Sequence, residues 1–282
     1  MKISYLGPKW SWSELAAELW ARQKGIDTEL LPLKNELEVV KSLKSGIADL
    51  GAVAHYNLLE GLVQSNLDLI YGNGLRIAGF QRVEIKWYAG RYPEGKADAV
   101  YTHQKALGQC SEWLSKQDVK QVPVESTSAG AVRVASEKSG IAIARKEALE
   151  GNGLEIIAED IGNRKYGLQN YTDFYVLSAN GYREEYEEGK DYRTLAAVTP
   201  HFDEVGLLAK ILGQVAFYRI NNSDIHSRPA VDDIKALNGE GPKMFYIEME
   251  CHEDEERFRR CIDSLKYLLG SETVRVLGSY CK

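Results

Sequence analysis

The stretch KISYLGPKWSWSELAAELWARQKG, residues 2–25, runs from a short apolar strand through a Gly-Pro turn into an amphipathic helix. Ser11 and Glu14 form a Ser-x-x-Glu capping box, Leu15, Leu19 and Trp20 fall on one face at helical spacing, and Gly25 stops the helix. TELLPL (28–33) then reads as a second strand, NELEVVKSLKSG (35–46) as a second helix and ADLGAVA (48–54) as a third strand. A βαβαβ order of this kind calls for a parallel sheet with helices on its faces.

The pattern restarts near residue 96. KADAVYTH (96–103) is a strand, QKALGQCSEWLSKQ (104–117) a helix and KQVPVES (120–126) a strand; TSAGAVRVASEKSG (127–140) is a helix and GIAIARK (140–146) a strand. Two α/β lobes are therefore expected. LRIAGFQRVEIKWYAG (75–90) leads into the second and NYTDFYVL (170–177) returns, so the chain crosses twice and leaves a cleft between the lobes. SANGYREEYEEGKDYR (178–193) is polar and poor in aliphatic residues, as a linker is. The order βαββαβ follows: strands TLAAVTP, INNSDIHSRP, KMFYIEMEC and TVRVLGSYC, and helices EVGLLAKILGQVAFYR and DEERFRRCIDSLKYLLGS. In the last helix Phe258, Cys261, Leu265 and Leu268 share a face, and the whole is a ferredoxin-like unit.

With 282 residues and 44% hydrophobic content, the chain is long enough for two domains with cores of their own. A net charge of -6 and the lack of clustered Lys and Arg exclude nucleic-acid binding. No apolar run reaches the length of a membrane span, and MKISYLGP lacks the apolar stretch of a signal peptide, so no membrane partner and a cytoplasmic location are expected. The cysteines Cys110, Cys251, Cys261 and Cys281 show no CxxC or Cys/His ligand spacing; they read as free thiols, and neither a metal nor a cofactor is expected.

Strand-to-helix junctions in open α/β sheets carry helix N-termini that attract anions. Hydroxyl residues occupy those junctions: Ser11, Ser13, Thr102, Ser126, Thr127 and Ser128. Each is suited to capping its own helix. Together they would line one cleft with donors for a small carboxylate.

The order and spacing of YLGPKWSWSELAA (5–17), AHYNLLEG (54–61), THQKALGQC (102–110), VESTSAGAVRVA (124–135), GIAIARKEALEGNGLEIIAEDI (140–161), NYTDFYVL and INNSDIHSRP resembles the prephenate dehydratases with a C-terminal ACT domain. Gly7, Pro8 and Ser13 match the family's Gly-Pro-x-Gly-Thr-Phe-Ser stretch, Ser11 stands for its threonine, and Trp10 and Trp12 replace glycine and phenylalanine. Glu-Asn-Ser becomes Tyr56-Asn57-Leu58, Ser126-Thr127 matches outright, and Thr-Arg-Phe becomes Thr172-Asp173-Phe174. The resemblance implies a two-lobed periplasmic-binding-protein-like catalytic domain over residues 1–180, with lobes about 1–75 plus 165–180 and 76–164. It further implies a linker at 181–191 and an ACT regulatory domain at 192–282.

The activity so implied is a cofactor-independent lyase that takes a dicarboxylate, prephenate, to phenylpyruvate. Thr172 would be catalytic, and Ser11, Asn57, Ser126 and Thr127 would bind substrate. An amino-acid effector would sit at Gly206, Leu208, Ser227 and Arg228, and the C-terminal unit would pair chains into a homodimer or homotetramer. Two other readings stay open: a prephenate decarboxylase that does not aromatise the ring, and a non-catalytic metabolite-binding regulator. Asp173 decides how hard the first reading is pressed. An anion in place of the motif's cation would weaken a dicarboxylate site unless Lys9, Lys86, Arg164 or Lys165 compensates, and Asp173→Arg would then tighten binding. Strand alternation, however, turns Asp173 away from the face of Thr172 and Phe174.

Overall fold

The computed structural model describes residues 1–230 and 242–282, and the chain forms two compact units. Met1–Leu69 with Gln81–Val176 make the first, and Ile70–Phe80 with Leu177–Lys282 the second.

The first unit holds two sheets. Strands β1 (Lys2–Leu6), β2 (Glu29–Leu33), β3 (Leu50–Asn57), β5 (Arg76–Glu84) and β11 (Tyr171–Ser178) lie in the order β2-β1-β3-β11-β5, with the two-residue β4 (Gly61–Leu62) paired to β3. β1 is parallel to both β2 and β3, as the opening βαβαβ pattern requires. The second sheet runs β10-β6-β9-β7-β8, from β6 (Tyr88–Arg91), β7 (Ala99–Thr102), β8 (Lys120–Pro123), β9 (Ile141–Ala144) and β10 (Glu155–Ala158). The unit boundaries fall within two of these strands, after Phe80 in β5 and after Val176 in β11.

Three sequence expectations shift. β5 pairs within the first sheet, so the chain leaves the first lobe after Glu84 rather than at residue 76. Residues 75–90 contain no Pro or other break between β5 and β6, and the pairing partner that separates them is nearly a hundred residues away. The expected helix over 104–117 divides at Cys110 (φ -117°, ψ 17°) into α4 (Gln104–Gln109) and α5 (Ser111–Leu114). In α1 (Trp12–Gln23) the buried stripe is Ser13, Ala16, Ala17, Trp20 and Ala21, with Leu15 and Leu19 only partly buried at its flank. The helices α2 (Glu36–Lys44), α3 (Gln64–Gly72), α6 (Thr127–Glu137) and α7 (Lys146–Glu150) complete this part of the chain.

The second unit contains β12 (Tyr192–Val198), α8 (Leu207–Phe217), β13 (Asn222–Pro229), β14 (Lys243–Met249), α9 (Glu256–Leu269) and β15 (Val274–Cys281). Its four strands form an antiparallel sheet in the order β13-β14-β12-β15. Ala196, Val198, Phe245, Ile247 and Met249 pack against Ile211 and Val215 of α8 and Phe258, Cys261, Ile262 and Leu265 of α9. Leu269, not Leu268, continues the buried face of α9, because a 3.6-residue period drifts past the expected position over three turns. Residues 70–80 belong here too. Arg76 forks onto both carboxylate oxygens of Glu253 at 2.6 Å, Phe80 stacks on Tyr280 at 5.2 Å, and Arg275 donates to the Tyr71 carbonyl. Gly278 (φ 136°) lies so close to the Ile77 backbone that no side chain would fit. Residues 181–191 carry no helix or strand, yet Tyr186 stacks on His252 and Arg183 reaches Asp254.

No helix among the described residues is long and apolar enough to cross a membrane. The cysteines are free; Cys110, Cys251 and Cys261 are buried and Cys281 is partly exposed. Burial raises the thiols of Cys110, of Cys251 to about 12 and of Cys261 to about 11, which removes the reactive thiolate at neutral pH. A thiol-alkylating reagent is therefore expected to label Cys281 alone in the native protein and all four after denaturation. Mass spectrometry of tryptic peptides checks this, and rapid native labelling of Cys261 would contradict the packing.

Candidate active site

A cleft of about 420 Å³ opens in the first unit, within the size range of small-molecule sites. Ser11, Asn57, Ser126, Thr127 and Thr172, named above from sequence, all line it. Ser11 and Asn57 come from the first lobe, Ser126 and Thr127 from the second, and Thr172 from the returning strand β11. The remaining wall is largely apolar: Leu6, Ala54, Val63, Ile85, Phe174, and Trp12 set edge-to-face on Trp87 at 5.4 Å.

Asn57 and Thr172 are the most constrained pair. The Asn57 Oδ1 accepts from the backbone N–H of Leu59 (3.0 Å) and of Glu60 (3.1 Å), a local turn that fixes which end of the amide faces inward. Its Nδ2 then donates to Thr172 Oγ1 (2.9 Å) and to the Tyr171 carbonyl (3.1 Å). Since the Thr172 oxygen already accepts, its own proton is left over, and no acceptor for it lies among the described residues. Thr172 and Phe174 both face the cleft, two residues apart on one strand face.

The helix ends behave unequally. Ser11 caps α1, accepting from Glu14 N–H, but spends its own proton on the Leu6 carbonyl at 2.8 Å. Its contribution to a ligand is thus the N-terminal dipole of a twelve-residue helix rather than its hydroxyl. Ser126 caps the eleven-residue α6 through Ala129 N–H and keeps its proton, and the Thr127 hydroxyl makes no bond within the described residues. Gly130 is obligatory in α6, because a Cβ there would strike the Tyr101 carbonyl, and this close approach seats the helix end at the cleft. Ser128 donates across the cleft to the Lys9 carbonyl (3.0 Å), and the buried Arg145 donates to the Ser11 carbonyl (2.9 Å) while lying over the Trp12 ring. Both bonds reach from the second lobe to the loop before α1. Thr102, expected among the junction hydroxyls, is fully buried and donates to the Ile143 carbonyl instead of lining the cleft.

Sequence reasoning missed a polar network on the opposite wall. Gln109 receives Trp87 Nε1 (3.0 Å) and Asn170 Nδ2 (3.1 Å) on one atom and donates to Glu60 (2.6 Å), which also pairs with Lys105 at 3.3 Å. Among the described residues, Lys105 is the one Lys or Arg in the lining, and Glu60 and Glu125 are its acids. His103 caps α4 and borders the cleft, while His55 is buried and stacked on Tyr175 with Nε2 at 2.9 Å from the tyrosine oxygen. Trp10 stands where the resembled motif has glycine. Its φ of 65° is the left-handed conformation that costs a residue with a Cβ roughly 1–2 kcal/mol, and its ring packs on Gly151.

Asp173 is turned away from the cleft and only 5% exposed. Its cation is Arg82, which none of the four candidates from sequence anticipated: Nε to Oδ1 is 2.7 Å and Nη2 to Oδ2 is 2.8 Å. The hydrogen bond to Asp173 raises the Arg82 pKa above its ordinary value, and the guanidinium lies 3.8 Å over the Tyr171 ring. The four candidates are engaged elsewhere. Lys86 pairs with Glu84, Arg164 with Asp160, Lys165 donates to the Leu58 carbonyl and Lys9 lies over Trp10.

In the second unit Gly206 (φ 85°) caps α8, Leu208 is half-exposed in its first turn, and Ser227 and Arg228 lie on the edge strand β13. No group of three or more His, Cys, Asp or Glu side chains that could hold a metal ion occurs among the described residues.

The family model for prephenate dehydratase matches residues 3–182. The chain is 30% identical to the bifunctional chorismate mutase/prephenate dehydratase of Aquifex aeolicus, over all of this chain and 74% of that protein. It is 29% identical to the prephenate dehydratase of Lactococcus lactis subsp. cremoris, over 99% and 97% of the two chains. Among solved structures, the prephenate dehydratase of Arthrobacter aurescens in complex with L-Phe superposes with a TM-score of 0.85 at 27% identity, covering 100% of this chain and 90% of that one.

Proposed function

The chain belongs to the prephenate dehydratase family, and we infer that it converts prephenate to phenylpyruvate in phenylalanine biosynthesis. It is a lyase. Prephenate loses its ring carboxylate as carbon dioxide; the electron pair of that bond enters the ring, and the ring hydroxyl leaves from the opposite carbon. Hydroxide leaves poorly, so one proton or one strong hydrogen bond must reach that oxygen as its bond to carbon breaks.

The observation that carries the reading is the Asn57–Thr172 pair. With Oγ1 held as an acceptor by Asn57, the Thr172 hydroxyl is oriented as a donor at a largely apolar wall, where an oriented hydrogen bond is worth more than in water. Thr172 is thus assigned the departing hydroxyl. The substrate is dianionic and the lining supplies one lysine already paired to Glu60, so the N-termini of α1 at Ser11 and of α6 at Ser126 and Thr127 are assigned to its carboxylates. The ring lies against Trp12, Trp87 and Phe174.

The C-terminal βαββαβ unit supports a further assignment as an ACT regulatory domain. It would hold an amino-acid effector near Gly206, Leu208, Ser227 and Arg228 and pair chains into a homodimer or homotetramer, β13 being an edge strand of its sheet among the described residues. A cytoplasmic location accompanies this biosynthetic role. The test is product identity after incubation with prephenate at neutral pH. Phenylpyruvate is expected; a non-aromatic dihydro product would establish the decarboxylase reading, and unchanged prephenate the non-catalytic one.

A further inference from the structure

Arg82 holds the strand on both sides of Thr172. Its guanidinium forks onto Asp173, the residue after Thr172, and stacks at 3.8 Å on the ring of Tyr171, the residue before it. Both neighbours point to the sheet face opposite the cleft, so one side chain on β5 grips β11 from behind, at the residue whose hydroxyl faces the cavity. From the front, Asn57 binds Thr172 Oγ1 and the Tyr171 carbonyl. Thr172 is therefore fixed between an amide on one face and a guanidinium on the other. Only arginine makes the rear contact, since lysine has neither the planar fork nor the flat face for the ring. A surface ion pair would do little, but Asp173 is buried and Arg82 is its one charged partner among the described residues, so its position follows that of Arg82.

We propose that Arg82 is a positioning residue for the dehydration step, acting through Tyr171 and Asp173 to set the Thr172 hydroxyl against the departing oxygen. The proposal rests on the assignment of Thr172 made above. Misplacing a reacting group by an ångström can cost about 10²-fold in rate, and loosening one of two clamps costs less. The expected loss for Arg82→Ala is about tenfold in kcat, with KM changed by less than about threefold because no cavity-lining side chain is removed.

The experiment measures kcat and KM for Arg82→Ala and Arg82→Lys, each well below its own melting midpoint and per folded molecule, in both the native and the Thr172→Ala backgrounds. Arg82→Lys serves if the alanine variant does not fold; it keeps the charge, loses the fork and the stacking, and is expected to lose several-fold in kcat. In the Thr172→Ala background neither change at Arg82 should lower kcat further, because the hydroxyl being positioned is gone. A purely structural Arg82 would lower the melting midpoint and leave kcat of the folded protein unchanged, which overturns the proposal. An undiminished loss in the Thr172→Ala background overturns it as well. If Thr172→Ala itself turns over prephenate normally, the assignment of Thr172 falls; if that variant is slow while both Arg82 variants keep full kcat, only the role of Arg82 falls.

Discussion

Thr172→Ala is expected to lower kcat for prephenate by about 10²–10³-fold, the loss seen when one preorganised donor to a transition-state oxygen is removed. The ground state gains little from this hydroxyl, since a neutral ring alcohol accepts only an ordinary hydrogen bond; the alkoxide-like oxygen of the breaking C–O bond accepts a much stronger one. KM should accordingly stay within a few-fold, and the loss should fall equally on kcat and kcat/KM. The fold should survive. Asn57 Nδ2 keeps its second acceptor, the Tyr171 carbonyl, so the change removes one internal hydrogen bond, worth about 1 kcal/mol. Thr172→Ser retains the hydroxyl and the Asn57 bond and should recover most of the activity. Steady-state assays with circular dichroism on the same preparations check all three statements. An alanine variant with unaltered kcat would remove Thr172 from the chemistry.

The parts of this site that sequence reveals are those encoded by near neighbours. The Ser11–Glu14 spacing predicts the start of α1, and the structure places Ser11 at its cap, with the Glu14 carboxylate accepting from the Trp10 N–H and the Tyr5 hydroxyl. Ser126 ahead of a helical pattern is legible in the same way. The partner of Asp173 is not. Arg82 lies 91 residues earlier, on a strand whose membership of the first sheet is set by pairing with β11, and no local periodicity encodes which distant strand a segment will join. The four cations weighed from sequence are engaged elsewhere, Lys86, Arg164 and Lys9 with near neighbours in the chain and Lys165 with the Leu58 carbonyl 107 residues away. The Gln109–Glu60–Lys105 network escapes for a related reason: its members come from α4 and from the turn after β3, and only the cleft brings them together.

Asp173→Arg, which motif matching alone favours as a restoration, is expected to destabilise the protein by roughly 3 kcal/mol and to impair turnover rather than improve it. At this position the new guanidinium would point away from the cleft, into the space where Arg82 already lies over Tyr171. Two cations would then face each other where a bidentate pair stood. Removing one partner from a buried ion pair costs about 3–5 kcal/mol; the figure is taken from the low end because the Arg82 side chain is 43% exposed and can turn toward water. Exchanging the charges, Arg82→Asp with Asp173→Arg, should return much of the lost stability by rebuilding an opposite pair, though the stacking of Arg82 on Tyr171 is not rebuilt. Urea unfolding of the two single variants and the double variant provides the cycle, with a favourable coupling between the exchanged residues as the expected sign. Tighter prephenate binding by Asp173→Arg alone would mean that residue 173 reaches the substrate, and the assignment of Asp173 to the rear face of β11 would have to be withdrawn.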